Sequence, residues 1–135
     1  MDRANLLQAL SDQFRNRPEI VAAWLFGSQA RDSAKTTSDV DVALLLRDGK
    51  PRSVADFEIL VEIQAELEKT LRCEVDVVAA NGAAPDLLFR VLRDGVLVHE
   101  SDHNRRILFE VAARNEYWDL LPILELYRKT VLRGA

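Results

Sequence analysis

A Gly-Ser pair closes one short apolar run, and an Asp-x-Asp opens the next. Ile20–Phe26 is continuously apolar, and Gly27-Ser28 follows it directly. After a ten-residue spacer, Asp39-Val40-Asp41 leads into a second apolar run, Val42–Leu46. Apolar runs of this length suit buried strands. The spacer is mixed and short, and Gln29–Ser33 is expected to form one or two helical turns, so both motifs can sit at one end of neighbouring strands. A Gly-Ser turn in that position offers backbone N–H groups and a hydroxyl able to hold phosphate oxygens. Carboxylates two residues apart on a strand point to the same face. Asp39 and Asp41 would therefore share one face, while Val40, Val42, Leu44 and Leu46 face a core. Such a pair can hold hard Mg²⁺ ions, which prefer oxygen ligands and bring phosphates with them.

The rest of the chain alternates helices and strands. Leu6, Leu7, Leu10 and Phe14 predict an amphipathic helix over 3–16, ended by Arg17-Pro18-Glu19. The second strand is expected over Ser38–Leu46, followed by the turn cluster Arg47–Pro51. Ser53 and Asp56 form a capping-box pattern. The helix they start carries Phe57, Leu60, Val61, Gln64, Leu67 and Leu71 at inward spacing. Cys73–Ala79 reads as a third strand, with Val75, Val77 and Ala79 towards the core and Glu74 and Asp76 on the other face. Asn81-Gly82 is a turn. Pro85 opens a short helix through Arg93, which Asp94-Gly95 closes. Val96–His99 is a fourth strand, and 103–132 a long helical stretch interrupted at Pro122. This order predicts an α/β or α+β fold: a small mixed sheet flanked by helices, with a long C-terminal helix.

At 135 residues the chain fits a single domain, 1–135. Its 48% hydrophobic and 30% charged residues are ordinary for a soluble protein. A net charge of −4 argues against a dedicated nucleic-acid-coating surface, so direct nucleic-acid binding is not expected. No apolar run reaches membrane-spanning length, and Met1–Asn5 has no signal-peptide character, so a cytoplasmic protein without membrane attachment is expected. Cys73, the one cysteine, cannot form an internal disulfide and reads as a buried, inert thiol. His99 and His103 are too isolated to suggest a metal site.

A two-metal centre needs a third anionic partner, and Asp76 supplies one if the second and third strands are neighbours. Three clustered carboxylates repel one another without cations, which is itself a reason to expect metal. A nucleoside triphosphate presents several negative charges to an attacking hydroxyl. Two Mg²⁺ ions neutralise them, activate the attacking oxygen and stabilise the leaving pyrophosphate. Asp39 and Asp41 would bridge the metals. Asp76 would complete the attacking-side site and accept the hydroxyl proton. Gly27 and Ser28 would hold the β- and γ-phosphates, with Arg31 adding a guanidinium. Glu74 reads as a solvated neighbour.

Strand, Gly-Ser, spacer, Asp-x-Asp, strand, helix and a strand bearing Asp together resemble the DNA polymerase β-like nucleotidyltransferases. The matching residues are Gly27, Ser28, Asp39, Asp41 and Asp76. More narrowly, the chain is similar to the minimal nucleotidyltransferases encoded as antitoxins beside HEPN-domain toxins. Phe26–Arg31, Ser38–Leu45, Arg114–Asp119 and Tyr127 carry that likeness. Asp32 stands where these proteins commonly have Gly, which implies a slightly altered loop. The resemblance implies adenylyl transfer from ATP to a tyrosine of the partner toxin, a ribonuclease, silencing it within a hetero-oligomer.

Two readings of the residues lean towards a protein acceptor. The chain has no room for a second substrate-binding domain. Its C-terminal helix is also apolar on two sides: Tyr117, Leu120, Ile123, Leu124, Tyr127 and Val131 form one stripe, expected on the domain, and Trp118, Leu121 and Leu132 lie near the opposite side, expected at a partner interface. An antitoxin acting by binding alone, and a small-molecule nucleotidyltransferase similar to those that modify aminoglycosides, remain alternatives.

Overall fold

The computed structural model describes residues 2–27 and 40–134. The elements run α1 (Arg3–Arg15), β1 (Ile20–Phe26), β2 (Val40–Leu46), α2 (Val54–Leu71), β3 (Val75–Ala79), α3 (Pro85–Asp94), β4 (Val96–Glu100) and α4 (His103–Gly134). The expected helical turns at Gln29–Ser33, and the start of the second strand at Ser38-Asp39, lie outside the described residues.

The four strands form one sheet in the order β3-β2-β1-β4. β1 pairs antiparallel with β2 and β4, and β2 pairs parallel with β3, so the sheet is mixed as expected. Helices cover both faces. On one side α1 and α2 bury Leu10, Phe14, Ile63 and Leu67 against Leu25, Val42, Leu44 and Val75. On the other, α3 and α4 bury Leu88, Val91 and Ala113 against Val21, Trp24, Ala43 and Leu45. β1 lies between two cores, which is why its sequence is apolar throughout instead of alternating.

Local chemistry fixes the helix ends. The Asp2 carboxylate accepts the Asn5 N–H at 2.8 Å and caps α1. Ser53 and Asp56 form the reciprocal capping box of α2. Pro85 occupies the first turn of α3, where a missing N–H costs nothing. Gly95 follows, and a Cβ there would stand 2.3 Å from the Val91 carbonyl oxygen and 3.1 Å from that of Leu25. This close approach lets α3 turn straight into β4.

Three sequence expectations need correction. On α2 the buried stripe is Leu60, Ile63, Leu67 and Leu71, whereas Phe57 and Val61 are 54% and 67% exposed. They lie to one side of that stripe and line a groove with Val77, Val78 and Ala79. Gln64, on the same side, accepts the Val77 N–H at 3.3 Å, and Glu68 accepts that of Val75 at 3.3 Å. These side chains cover edge-strand donors of β3 that would otherwise invite another strand. Second, α4 runs through Pro122 without interruption. Proline removes only one i→i−4 bond, and the helix is long on both sides of it. Third, Tyr117, Leu120 and Leu124 are partly covered, but Ile123, Tyr127 and Val131 are exposed. Leu121, expected on the outer side, is also partly covered, whereas Trp118 is exposed. Leu132 lies outside the described side chains.

Candidate active site

The carboxylates meet as the strand order dictates. β2 and β3 run parallel in the register Val40↔Val75, Asp41↔Asp76, Val42↔Val77, so Asp41 and Asp76 are lateral neighbours. Alternation puts both on the α3 side of the sheet, with Ala43, Leu45 and Val78 further along. Asp41 is half-buried and Asp76 exposed. Glu74 is exposed, and its carbonyl oxygen accepts the Val40 N–H at 3.1 Å, holding the strands together at this end.

β1 brings the turn to the same place. Phe26 pairs with Asp41 across the antiparallel ladder, and Gly27 follows with φ +75°. A Cβ on Gly27 would stand 2.5 Å from Asp41 Oδ2. Glycine therefore serves twice here, through its left-handed backbone and through the room it leaves for the carboxylate. Ser28, Arg31, Asp32 and Asp39 lie outside the described residues.

A cleft of about 300 Å³ opens beside this junction, lined by Phe26, Gly27, Asp41, Leu87, Arg90, Arg93 and Asp94. Its α3 wall was not legible in the sequence. The signal was faint: Leu88 and Val91 are the buried positions of α3, which leaves Arg90 and Arg93, three residues apart, on a shared outer face. The Arg93 guanidinium donates to both Asp94 carboxylate oxygens, at 3.0 and 2.9 Å, and its charge centre lies 5.6 Å over the Phe89 ring. Phe89 stacks on Tyr117 of α4 with centroids 3.9 Å apart, and Trp118 meets Phe89 edge-on at 6.3 Å. The cleft wall is thus continuous with an aromatic cluster at mid-α4.

The donor set suits a hard divalent cation, since adjacent carboxylates on neighbouring strands supply oxygen ligands only. Among the described residues no group of three His, Cys, Asp or Glu side chains could hold a metal, and the third expected ligand, Asp39, is outside them. Neither histidine belongs to this site. His99 faces Phe14 across the other core, and His103 is paired with Glu100. No helix among the described residues is long and apolar enough to cross a membrane.

Known proteins resemble this chain in sequence and in fold. Residues 8–104 match the family described as polymerase beta, nucleotidyltransferase. A Methanocaldococcus jannaschii protein named as a protein adenylyltransferase is 42% identical over 74 residues, 55% of this chain and 74% of that protein. A chain of a toxin–antitoxin crystal structure with AMP-PNP superposes with a TM-score of 0.77 at 23% identity, over 93% of this chain and 98% of that one. A chain from the complex of tri-AMPylated Shewanella oneidensis HEPN toxin with MNT antitoxin superposes with a TM-score of 0.73 at 20% identity, over 97% of this chain and 99% of that one. The structural likenesses speak for the fold, and the family match spans the Gly27 turn and both carboxylate strands: the chain belongs to the polymerase β nucleotidyltransferase family.

Proposed function

We propose that this protein is an antitoxin that transfers AMP from ATP to a tyrosine of a HEPN ribonuclease toxin. The observation that carries the chemistry is the in-register pair Asp41–Asp76 beside the Gly27 turn. The similarity to a protein named as a protein adenylyltransferase, and the fold shared with toxin–antitoxin complexes, support AMP transfer to a protein.

In the reaction the acceptor hydroxyl oxygen bonds to the α-phosphorus. The bond from that phosphorus to the oxygen bridging to the β-phosphate breaks, and pyrophosphate leaves with its electron pair. Asp76 is exposed at the strand edge and is suited to orient the incoming hydroxyl and take its proton. Asp41 lies between Asp76 and the turn, where the α-phosphate must sit. Gly27 and Ser28 would offer N–H groups and a hydroxyl to the remaining phosphates. Asp39, Asp41 and Asp76 would hold two Mg²⁺ ions, which when bound neutralise the phosphates and lower the pKa of the attacking hydroxyl.

The partner surface is α4. Trp118, Leu126 and Tyr127 are 58%, 66% and 66% exposed, and Ile123 and Val131 are exposed as well. Apolar surface of this extent, exposed around two sides of one helix, marks a protein interface. It begins at the aromatic cluster against α3, so a toxin held there would have its acceptor segment beside the cleft. The pair would be a hetero-oligomer acting in the cytoplasm, where ATP is supplied. The exposed α4 face also favours a second reading, neutralisation by binding alone.

Incubation with ATP labelled on the α-phosphate, Mg²⁺ and a HEPN protein encoded beside this chain decides between them. Label on a toxin tyrosine, lost with Asp41→Asn, is the result expected. A toxin silenced by the wild type and by Asp41→Asn alike, without label, would establish neutralisation by binding alone.

A further inference from the structure

The cleft beside Gly27 holds two guanidinium groups in different states. Arg93 is committed to Asp94 and to the face of Phe89. Arg90 lines the same cleft, is exposed, and makes no ion pair or hydrogen bond among the described residues. A guanidinium cannot shed its charge at neutral pH, so one left without a partner among the described residues, on the wall of a concavity, is suited to hold an anion.

The lining of the cleft says which part of a nucleotide it faces. Gly27 and Asp41 are lining residues and Asp76 is not, so the cleft extends from the Asp41 carboxylate towards the turn. The α-phosphorus belongs at the carboxylate pair. The segment of triphosphate lying over Gly27 is then the pyrophosphate that leaves. We propose that Arg90 grips the β- and γ-phosphates and stabilises pyrophosphate as it departs, an assignment that rests on the nucleotidyltransferase reading above. The planar fork of arginine matches two phosphate oxygens at once, and its attraction grows as negative charge gathers on the leaving group. Arg93, one helical turn from Arg90 and fixed by the adjacent Asp94, keeps the wall in place.

The test is calorimetric titration of the full chain with α,β-methylene-ATP and Mg²⁺, whose blocked bond prevents transfer, and separately with AMP. Arg90→Gln should weaken α,β-methylene-ATP binding by about 10- to 100-fold and leave AMP binding within about threefold. Arg90→Lys keeps the charge and the aliphatic stem but not the fork, and should recover part of the loss. Because the side chain is exposed, neither variant should shift the thermal midpoint. Equal loss for AMP and the triphosphate, unchanged triphosphate affinity in Arg90→Gln, or failure of Arg90→Lys to bind better than Arg90→Gln would each overturn the assignment. A wild-type chain that binds no nucleoside triphosphate would overturn the nucleotide reading along with it. Normal wild-type affinity with an indifferent Arg90→Gln overturns this inference alone.

Discussion

Asp41 and Asp76 occupy the same register position on adjacent parallel strands, one strand step apart on the sheet face that α3 covers. Two anions so placed repel each other, and the fold holds them together by strand pairing on which both cores depend. Converting either to its neutral isostere should remove function without removing structure. Asp41→Asn and Asp76→Asn should each lower AMP transfer by at least roughly 100-fold. Melting temperatures should be unchanged or slightly raised. Asp76→Asn should depress turnover more than nucleotide affinity, since its partner is the attacking hydroxyl. Transfer near the wild-type rate in either variant would remove that residue from the site.

Gly27→Ala tests the turn. Its methyl would meet Asp41 Oδ2 at 2.5 Å, and the backbone at φ +75° is one that alanine resists. The backbone penalty is about 1–2 kcal/mol. The contact is with the end of a side chain, so the carboxylate moves before the strands do. Activity should therefore fall much further than stability. A melting curve beside a transfer assay checks this, and a variant with normal transfer would show that the Asp41 position is not critical.

How far these features could be read beforehand depends on the range of the interaction involved. β1 was legible to the residue because burial on both faces leaves an unbroken apolar run. The α2 cap was legible because Ser53 and Asp56 are three residues apart and satisfy each other. The inner stripe of α2 was misjudged because Leu60 belongs to two overlapping periodic patterns. Phe57 and Val61 continue one and Ile63 the other, and only the position of β3 selects between them. Pro122 signals a lost hydrogen bond, not a lost helix. The motif around Asp41 is local, but the α3 wall with Arg90 and Arg93 reaches it only through packing across the sheet, which no spacing records.

Acid should loosen the α1 side of the molecule through His99. Burial holds its pKa below the ordinary histidine value, against weaker raising effects from the Ile20 backbone and Glu100. Its buried Nε2 has no partner. The unfolded chain takes up a proton near pH 6.5, whereas the folded one resists until lower pH. Between those values the unfolded state binds more protons, so stability falls as pH drops through that window. Glu100 and Asp56, whose pKa values are lowered by Arg106 and by backbone donors respectively, lose their contributions only lower, in the carboxylate range. The melting temperature should decline from pH 7.5 to 5.5, and His99→Phe should flatten that slope. An identical slope in the variant would assign the acid sensitivity elsewhere.

The outer face of α4 offers the clearest separation of folding from assembly. Trp118 and Leu126 are mostly exposed in this chain, so placing charges there leaves the glutamates solvated while the protein is alone. In a protein interface the same charges would be desolvated at a cost of several kcal/mol. Trp118 does touch Phe89 and Tyr117 edge-on, so Trp118→Glu alone should lower the melting temperature by a few degrees. Leu126→Glu has no such contact to lose and serves as the second, structurally neutral probe. The double variant should melt cooperatively, bind nucleotide like the wild type, and fail both to co-purify with a HEPN partner and to modify it. Leu126→Glu alone should weaken the association at least roughly tenfold with no change in melting. A partner retained by both variants would move the docking surface off α4, leaving the groove between Phe57, Val61 and the β3 edge as the next apolar face to probe.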